Sequence, residues 1–223
     1  MPGLPEIYDE AFFAEWGPSH GRYVRTAEVI TDEIAAEFQP RRVADIGCGC
    51  GVYARSLERK GIEVFALDGV RPPAEHSFPG PIHIQDLTVS FKNAWGHFDL
   101  ALCLEVAEHI PEPLADVFLD NVARFSDLLV VSAAPPNQGG RHHVNERPKR
   151  YWVRRFAERG YAYDRSTTGR LVDAVVAMRP PYIWMAQHIC VYKKVSEPAL
   201  LKRVIPFGVR LGGGKPRSPK KTP

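Results

Sequence analysis

The chain has 223 residues, 44% of them hydrophobic, which is enough to bury a sizeable core in one globular domain. No apolar run approaches the roughly 18 residues that a membrane-spanning helix needs. The first six residues (MPGLPE) include two prolines and an acid, where a signal peptide would carry basic residues and then an apolar stretch. These features argue against membrane insertion and predict a cytoplasmic protein.

The net charge of +3 comes from the C-terminal end of the chain. Four basic residues fall in the acid-free, Gly- and Pro-rich segment 212–223: Lys215, Arg217, Lys220 and Lys221. Without them the chain has 25 basic residues against 26 acidic ones. We therefore expect a near-neutral single domain over residues 1–211, followed by a disordered basic tail. Because nucleic-acid-binding proteins usually carry a basic face, a nucleic acid is disfavoured as a partner.

The first predicted elements are a helix and a strand that leads into a glycine-rich turn. Apolar residues recur at helical spacing over residues 23–38, and the strand Val43–Ile46, which contains Asp45, follows. Three glycines then let the backbone turn tightly and approach a ligand before a helix over 52–59: Gly47, Gly49 and Gly51. A dinucleotide-binding fingerprint would place its third glycine at position 52, where this chain has Val52, so the glycine spacing differs from that fingerprint.

Three further apolar runs carry an acid at or beside their C-terminal ends. They are predicted as strands two, three and four: Glu63–Asp68, Ile82–Leu87 and Phe98–Glu105. The carboxylate of Asp68 can accept hydrogen bonds from both hydroxyls of a ribose. Strand five is expected over 127–132 and the last strand over 187–193, with helices over the segments 113–125, 148–159 and 167–178. This alternation predicts a doubly wound parallel sheet.

The acid before the first glycine, the G-x-G-x-G turn and the acid-ended strands resemble the motifs of class I S-adenosylmethionine (SAM)-dependent methyltransferases, over residues 20–194. The resemblance implies a doubly wound, mostly parallel seven-stranded sheet of Rossmann-like type, with the last strand antiparallel between the fifth and sixth. It also implies SAM as the cofactor, with Asp86 facing the adenine amino group and Leu87 offering its backbone N–H. The implied cofactor-binding residues are Asp45, Gly47, Gly49, Gly51, Asp68, Asp86, Leu87 and Leu104.

A candidate metal site follows strand four. Glu105, Glu108 and His109 are spaced i, i+3 and i+4, so they share one face if this turn is helical. Two carboxylates and an imidazole suit Mg²⁺ or Mn²⁺. The pattern resembles ubiquinone-pathway O-methyltransferases and small-RNA 3′-end 2′-O-methyltransferases, in which it binds a divalent metal with a further histidine. The alternative is a structural or SAM-contacting turn without a metal.

A long loop with adjacent histidines follows strand five, over residues 134–146. A loop of this length inside a compact domain is usually functional. The neutral imidazole of His143 is suited to take a proton from a hydroxyl, or to serve as the fourth metal ligand. His142 is the alternative base. The run His-Val-Asn-Glu that begins at His143, with Tyr-Trp at 151–152, resembles actinobacterial sugar O-methyltransferases, including those of methylmannose polysaccharide synthesis.

The sequence therefore predicts a SAM-dependent O-methyltransferase that acts on a hydroxyl of a small acceptor, a sugar or a partly methylated oligosaccharide. An Asn-Pro-Pro-Tyr signature of amino-group methylation is missing after strand four, which favours oxygen over nitrogen. Tyr182 and Trp184 are candidate acceptor contacts. Two alternatives stay open: a small-RNA ribose 2′-O-methyltransferase with a Glu/Glu/His/His metal site, and a non-catalytic SAM-binding regulatory subunit. The oligomeric state is also open.

Overall fold

The computed structural model describes residues 7–196, and they form a seven-stranded mixed sheet. The strand order is β3-β2-β1-β4-β5-β7-β6, and β7 runs antiparallel to both of its neighbours while the other pairs are parallel. In chain order, β1 to β7 are Arg42–Ile46, Glu63–Asp68, Ile82–Ile84, Leu100–Cys103, Leu128–Val131, Tyr161–Tyr163 and Cys190–Lys194. The expected sheet, including the antiparallel last strand between the fifth and sixth, is confirmed.

Seven α-helices accompany the sheet in the described part of the chain. In chain order, α1 to α7 are Glu10–Glu15, Gly21–Phe38, Val52–Glu58, Ala115–Val122, Lys149–Ala157, Arg165–Ala177 and Ile183–Gln187. Short 3₁₀ turns occur at Ala74–His76, Ala107–His109 and Glu112–Leu114. No helix in residues 7–196 is long and apolar enough to cross a membrane.

The sheet separates two apolar layers, and the side chains of β4 alternate between them. Leu100 and Leu102 pack into the layer formed with α2, α3, α6 and α7, whereas Ala101 and Cys103 pack into the layer formed with α4 and α5. All four residues are fully buried. A strand buried on both faces needs apolar residues at every position, which is why this segment is continuously hydrophobic.

Several boundaries differ from the sequence prediction. The third strand ends at Ile84 instead of residue 87, because Asp86 forms a turn with Thr88 through its side chain. The helix expected over 113–125 starts as the 3₁₀ turn and becomes α-helical over 115–122. The sequence prediction did not place β6, α1 or α7, which are too short for a periodic pattern to be visible. The predicted tail 212–223 lies outside the described residues.

Candidate active site

The glycine turn connects β1 to α3 and has a backbone that only glycine adopts easily. Gly47, Gly49 and Gly51 have φ values of +74°, +52° and +74°. A Cβ at Gly47 would come within 2.4 Å of the Val106 side chain, whereas a Cβ at Gly49 or Gly51 would meet no atom within 4 Å. The turn is therefore packed on one side and open to a ligand at its other two glycines.

Asp68, at the end of β2, is joined to this turn by hydrogen bonds. Its Oδ2 accepts the N–H of Gly49 at 2.8 Å, and its Oδ1 accepts the N–H of Val70 at 3.0 Å. Each carboxylate oxygen has two lone pairs, so both can accept one further hydrogen bond. Burial raises the pKa of Asp68 above its usual range, while these backbone donors oppose the shift. This carboxylate is positioned to receive a pair of hydroxyls beside the glycine turn.

Asp45 lies one strand away and is buried in β1, with 3% of its surface exposed. Its Oδ2 has no hydrogen-bond partner among the described residues. Burial, and then the charge of Asp68, raises the pKa of Asp45 to about 7. A buried carboxyl oxygen without a donor is costly unless a ligand supplies one, so Asp45 fits a ligand that carries a hydrogen-bond donor or a positive charge.

The other three predicted cofactor residues follow β3 and β4. Oδ1 of Asp86 accepts the N–H and the hydroxyl of Thr88, at 2.7 and 2.6 Å. Leu87 is buried, and its carbonyl accepts a hydrogen bond from Nδ2 of Asn121 at 2.9 Å. Leu104 is half-buried directly after β4 and packs on the layer that contains α2 and α3. The turn at 86–88 is thus held by the side chain of Asp86 and by Asn121 of α4.

The structure brings three of the four predicted metal ligands together. One ligand atom from each of Glu108, His109 and His143 lies within 4.8 Å of the others. Glu108 is fully buried, and neither of its carboxyl oxygens has a hydrogen-bond partner in residues 7–196. Burial, and then the charge of Glu105, raises the pKa of Glu108 well above its usual range. Burial lowers the pKa of His109 to about 4, and its Nδ1 also lacks a partner within the described chain.

Glu105 does not join this group of atoms. Oε1 of Glu105 accepts the Ser132 hydroxyl at 2.6 Å, and the backbone N–H of Glu105 donates to the same hydroxyl oxygen at 3.0 Å. The i, i+3, i+4 spacing would place these residues on one face if the turn were helical from Glu105 onward, and that condition is not met. Glu105 has a φ of +56°, and only the 3₁₀ turn Ala107–His109 follows it. A positive φ at a non-glycine residue is a strained conformation that is enriched at functional sites.

Backbone hydrogen bonds fasten the histidine loop to this turn. The N–H groups of Val144 and Asn145 both donate to the carbonyl oxygen of Glu108, at 3.0 and 2.9 Å. His143 precedes these donors, and its ring lies 5.0 Å from that of His109, almost perpendicular to it. His142 is exposed, with a φ of +59°. The loop therefore directs His143, and not its neighbour, to the cluster.

Glu146 orients the His143 ring, a role that the sequence analysis did not assign. Oε1 of Glu146 lies 3.0 Å from Nδ1 of His143, and the same carboxylate accepts the N–H groups of Gly139 and Asn137 at 2.7 and 2.8 Å. These donors, with His143 first, lower the pKa of Glu146. When Nδ1 donates to Glu146, the lone pair of the ring is at Nε2. The i, i+3 spacing of His143 and Glu146 is the sequence feature from which this contact could have been predicted.

The ring of His143 also packs closely on the loop that carries it. A Cβ at Gly140 would come within 2.3 Å of Nε2 of His143, so the ring occupies space that any other residue at position 140 would fill. Tyr8, which precedes α1, is a further neighbour that the sequence analysis missed. Its ring lies 5.9 Å from that of His109. No local pattern connects residue 8 with residue 109.

The sheet order, the glycine turn and the acids at the strand ends define a methyltransferase fold. A family model described as "Methyltransferase domain" matches residues 19–174, and the chain belongs to this family. The methyltransferase class expected from the sequence is thereby confirmed.

Relatives with assigned names match part of the chain. It is 32% identical over 134 residues to a ubiquinone biosynthesis O-methyltransferase from Cereibacter sphaeroides, covering 48% of this chain and 53% of the relative. The protein of the same name from Acinetobacter baylyi is 28% identical over 119 residues, covering 47% and 50%. The chain thus spans about half the length of the curated relatives it matches.

Solved structures share the fold. The 1,6-didemethyltoxoflavin-N1-methyltransferase of Burkholderia thailandensis, solved with its substrate and S-adenosylhomocysteine, is 18% identical with a TM-score of 0.53, covering 87% of this chain and 92% of that one. The magnesium protoporphyrin IX methyltransferase of Synechocystis PCC 6803, solved with SAM, is 20% identical with a TM-score of 0.51, covering 72% and 80%. At such identities the likeness concerns the arrangement of the sheet and helices.

Proposed function

We propose that this protein is a SAM-dependent O-methyltransferase that transfers the methyl group to a hydroxyl of a small acceptor. The observation that carries the proposal is the buried carboxyl of Glu108, which has no hydrogen-bond partner in residues 7–196 and lies within 4.8 Å of two imidazoles. Groups that accept protons or bind a cation are what a hydroxyl needs to become a nucleophile. The relatives named as O-methyltransferases support the same chemistry.

The donor site is assigned to the glycine turn and the acids around it. Asp68 has one free acceptor position on each oxygen for the ribose hydroxyls of SAM, and Gly49 and Gly51 leave the turn open to close approach. The oxygen of Asp45 that lacks a partner among the described residues fits the amino-acid end of SAM, which carries an ammonium group. In this assignment Asp86 and Leu87 flank the adenine, and Leu104 lines the methionine end.

The cluster offers one carboxylate and two imidazoles, and atoms of Glu108 and His109 lack partners among the described residues. This ligand set fits Mn²⁺ better than Mg²⁺, which prefers oxygen ligands. Glu108, His109 and His143 would hold the ion. Glu105 is a second carboxylate beside Glu108, and the Ser132 hydroxyl holds it there by a hydrogen bond. A bound cation would supply Lewis-acid chemistry that lowers the pKa of the acceptor hydroxyl.

His143 is the proposed base. Glu146 accepts from Nδ1, so Nε2 has the one free lone pair of the ring. When no cation is bound, Nε2 takes the hydroxyl proton as the methyl group arrives; when it holds a cation, the cation would activate the hydroxyl instead. The fastening of the loop to Glu108 fixes the distance between this imidazole and the rest of the cluster. Orientation of donor and acceptor, without a covalent enzyme intermediate, then supplies most of the rate acceleration.

The acceptor is proposed to be a sugar or a partly methylated oligosaccharide. Half-buried aromatic rings suitable for a sugar face surround Tyr182, whose ring lies 6.3 Å from that of Trp16 and 6.1 Å from that of Trp184. Tyr182 is held in place by a 2.8 Å hydrogen bond between its hydroxyl and Nε2 of His20. The near-neutral charge outside the C-terminal tail is consistent with an uncharged acceptor.

The test is methyl transfer from radiolabelled SAM to a panel of sugars, oligosaccharides and phenols, with and without EDTA. We expect labelled product with a carbohydrate, loss of transfer in EDTA and recovery with Mn²⁺ or Mg²⁺, while SAM binding by calorimetry survives chelation. Labelling of phenols alone would overturn the carbohydrate assignment. Full activity in EDTA would leave Glu108 and His109 as a structural turn. No binding of SAM would overturn the whole proposal.

A further inference from the structure

The segment Tyr8–Trp16 bridges the two halves of the proposed site. On the donor side, Phe13 is buried, and its carbonyl oxygen accepts a hydrogen bond from the Cys50 thiol in the glycine turn at 3.5 Å. On the acceptor side, Nη2 of Arg141 in the histidine loop lies 2.6 Å from Oδ2 of Asp9. The segment therefore contacts the donor turn and the histidine loop at the same time.

Tyr8 stands between these two contacts. Its ring lies 5.9 Å from that of His109 and 6.3 Å from that of His142, and it packs edge-on against Phe12 at 5.0 Å. Burial raises the pKa of its hydroxyl, and the charges of Asp68 and Glu108 add to the rise. The ring contact places Tyr8 beside His109 of the cluster, and the Phe13–Cys50 contact places the same segment beside the donor turn.

Asp9 holds Tyr8 in this place. Asp9 caps the N-terminus of α1, since its Oδ1 accepts the N–H of Phe12 at 3.0 Å, and the other carboxylate oxygen pairs with Arg141. A residue next to a cap that is also ion-paired has little freedom to turn away. Glu10, the next residue, offers a comparison, because its carboxylate is directed to His76 at 3.7 Å and not to the histidine loop.

We propose that Tyr8 is a positioning residue shared by the donor and acceptor sites, held over them by the Asp9–Arg141 ion pair. The segment Tyr8–Trp16 then has to move away before the donor product can leave. Loosening either the ring or the ion pair speeds release of the product. The identity of that product, S-adenosylhomocysteine, rests on the proposed function.

The experiment measures the release rate of S-adenosylhomocysteine by stopped-flow competition with the full chain. Tyr8→Ala should release it about 3- to 12-fold faster, as for a lost aromatic contact, and Tyr8→Phe should restore the wild-type rate because the ring remains. Asp9→Asn, which keeps a capping side chain, and Arg141→Met should each speed release about 2- to 5-fold. Their double variant should be no faster than either single one, since they remove the same pair. Glu10→Gln is the matched control and should leave the rate unchanged.

Amide exchange provides a readout that does not depend on activity. S-adenosylhomocysteine should slow exchange in residues 9–16 of the wild type and do so less in Tyr8→Ala and Arg141→Met. Unchanged release and unchanged exchange in these variants, with ligand still bound, would overturn the role of Tyr8 alone. Additive effects of Asp9→Asn and Arg141→Met would overturn the part assigned to the ion pair. If the wild type binds no S-adenosylhomocysteine, the donor assignment and this inference fall together.

Discussion

Replacing Glu108 with glutamine should stabilise the metal-free protein and destabilise the metal-bound protein. In chelator, the carboxyl of Glu108 is fully buried beside Glu105, without a hydrogen-bond partner in the part of the chain that the structure describes. Its raised pKa means that stability is lost as the pH rises through the folded-state value, because deprotonation leaves a charge in the interior. The amide in Glu108→Gln has no charge and can donate to Glu105. We expect a gain of ~1–3 kcal/mol in the free energy of unfolding at pH 7.5 in EDTA.

The effect of the metal should have the opposite sign. A ligand at 100 times its dissociation constant stabilises the wild type by about 2.7 kcal/mol, and Glu108→Gln should lose most of that gain. For a chain of this size, 1 kcal/mol corresponds to roughly 2–4 °C in melting temperature. Thermal unfolding followed by circular dichroism, in EDTA and in MnCl₂, measures both effects. The reasoning is refuted if Mn²⁺ raises the melting temperature of both proteins equally, or if Glu108→Gln is several degrees less stable in EDTA.

Three further outcomes are expected. His143→Ala should slow turnover roughly 10²–10⁴-fold with SAM affinity intact, whereas His142→Ala, at an exposed position, should stay near wild type; the reverse result would make His142 the base. Asp68→Asn should weaken SAM binding by ~1.5–3 kcal/mol in calorimetry, and undiminished affinity would remove the ribose assignment. For His109, whose folded pKa is about 4 against an ordinary 6.5, the native state favours the neutral ring, so stability falls as the pH drops from about 6.5 to 4. Urea unfolding in EDTA should show up to ~3 kcal/mol of this loss in the wild type and not in His109→Asn, and equal losses would contradict it.

The sheet and the conformation of the glycine turn could be predicted from the sequence because they depend on local patterns. β2 combines a β-branched and aromatic run with a terminal acid. The conformation of the glycine turn can be predicted from its residue types alone. The strand β6 could not be found, because Tyr161–Tyr163 is too short for a pattern. This strand forms by pairing with residues of β7, which lie about 30 residues further along the chain. Such an element is fixed by tertiary contacts rather than by propensity.

The geometry of the cluster could be predicted only in part, and for a related reason. The residue types at positions 108, 109 and 143 were recognisable, but the condition under which Glu105 would join them, a helical turn that starts at residue 105, is not met: the 3₁₀ turn covers only Ala107–His109. What joins the cluster is the pair of hydrogen bonds from Val144 and Asn145 to the carbonyl of Glu108, across more than 30 residues. Rules on the spacing of side chains cannot predict such contacts, because the acceptor is a backbone carbonyl.

The position of Glu105 shows how the fold accommodates a buried acid pair. Ser132, at the end of β5, donates to the carboxylate of Glu105, and the backbone N–H of Glu105 donates back to the same hydroxyl oxygen. This arrangement satisfies Glu105 locally and holds it against Glu108. Burial raises the pKa of Glu108 most, and residues beside the strands place the like charge of Glu105 that adds to the rise. A buried acid kept next to a second acid, without its own donor, destabilises the metal-free protein. If the cluster binds a cation as proposed, the same feature increases the affinity, because binding removes the repulsion. The predicted gain in stability of Glu108→Gln in chelator and its loss of metal response therefore have one cause.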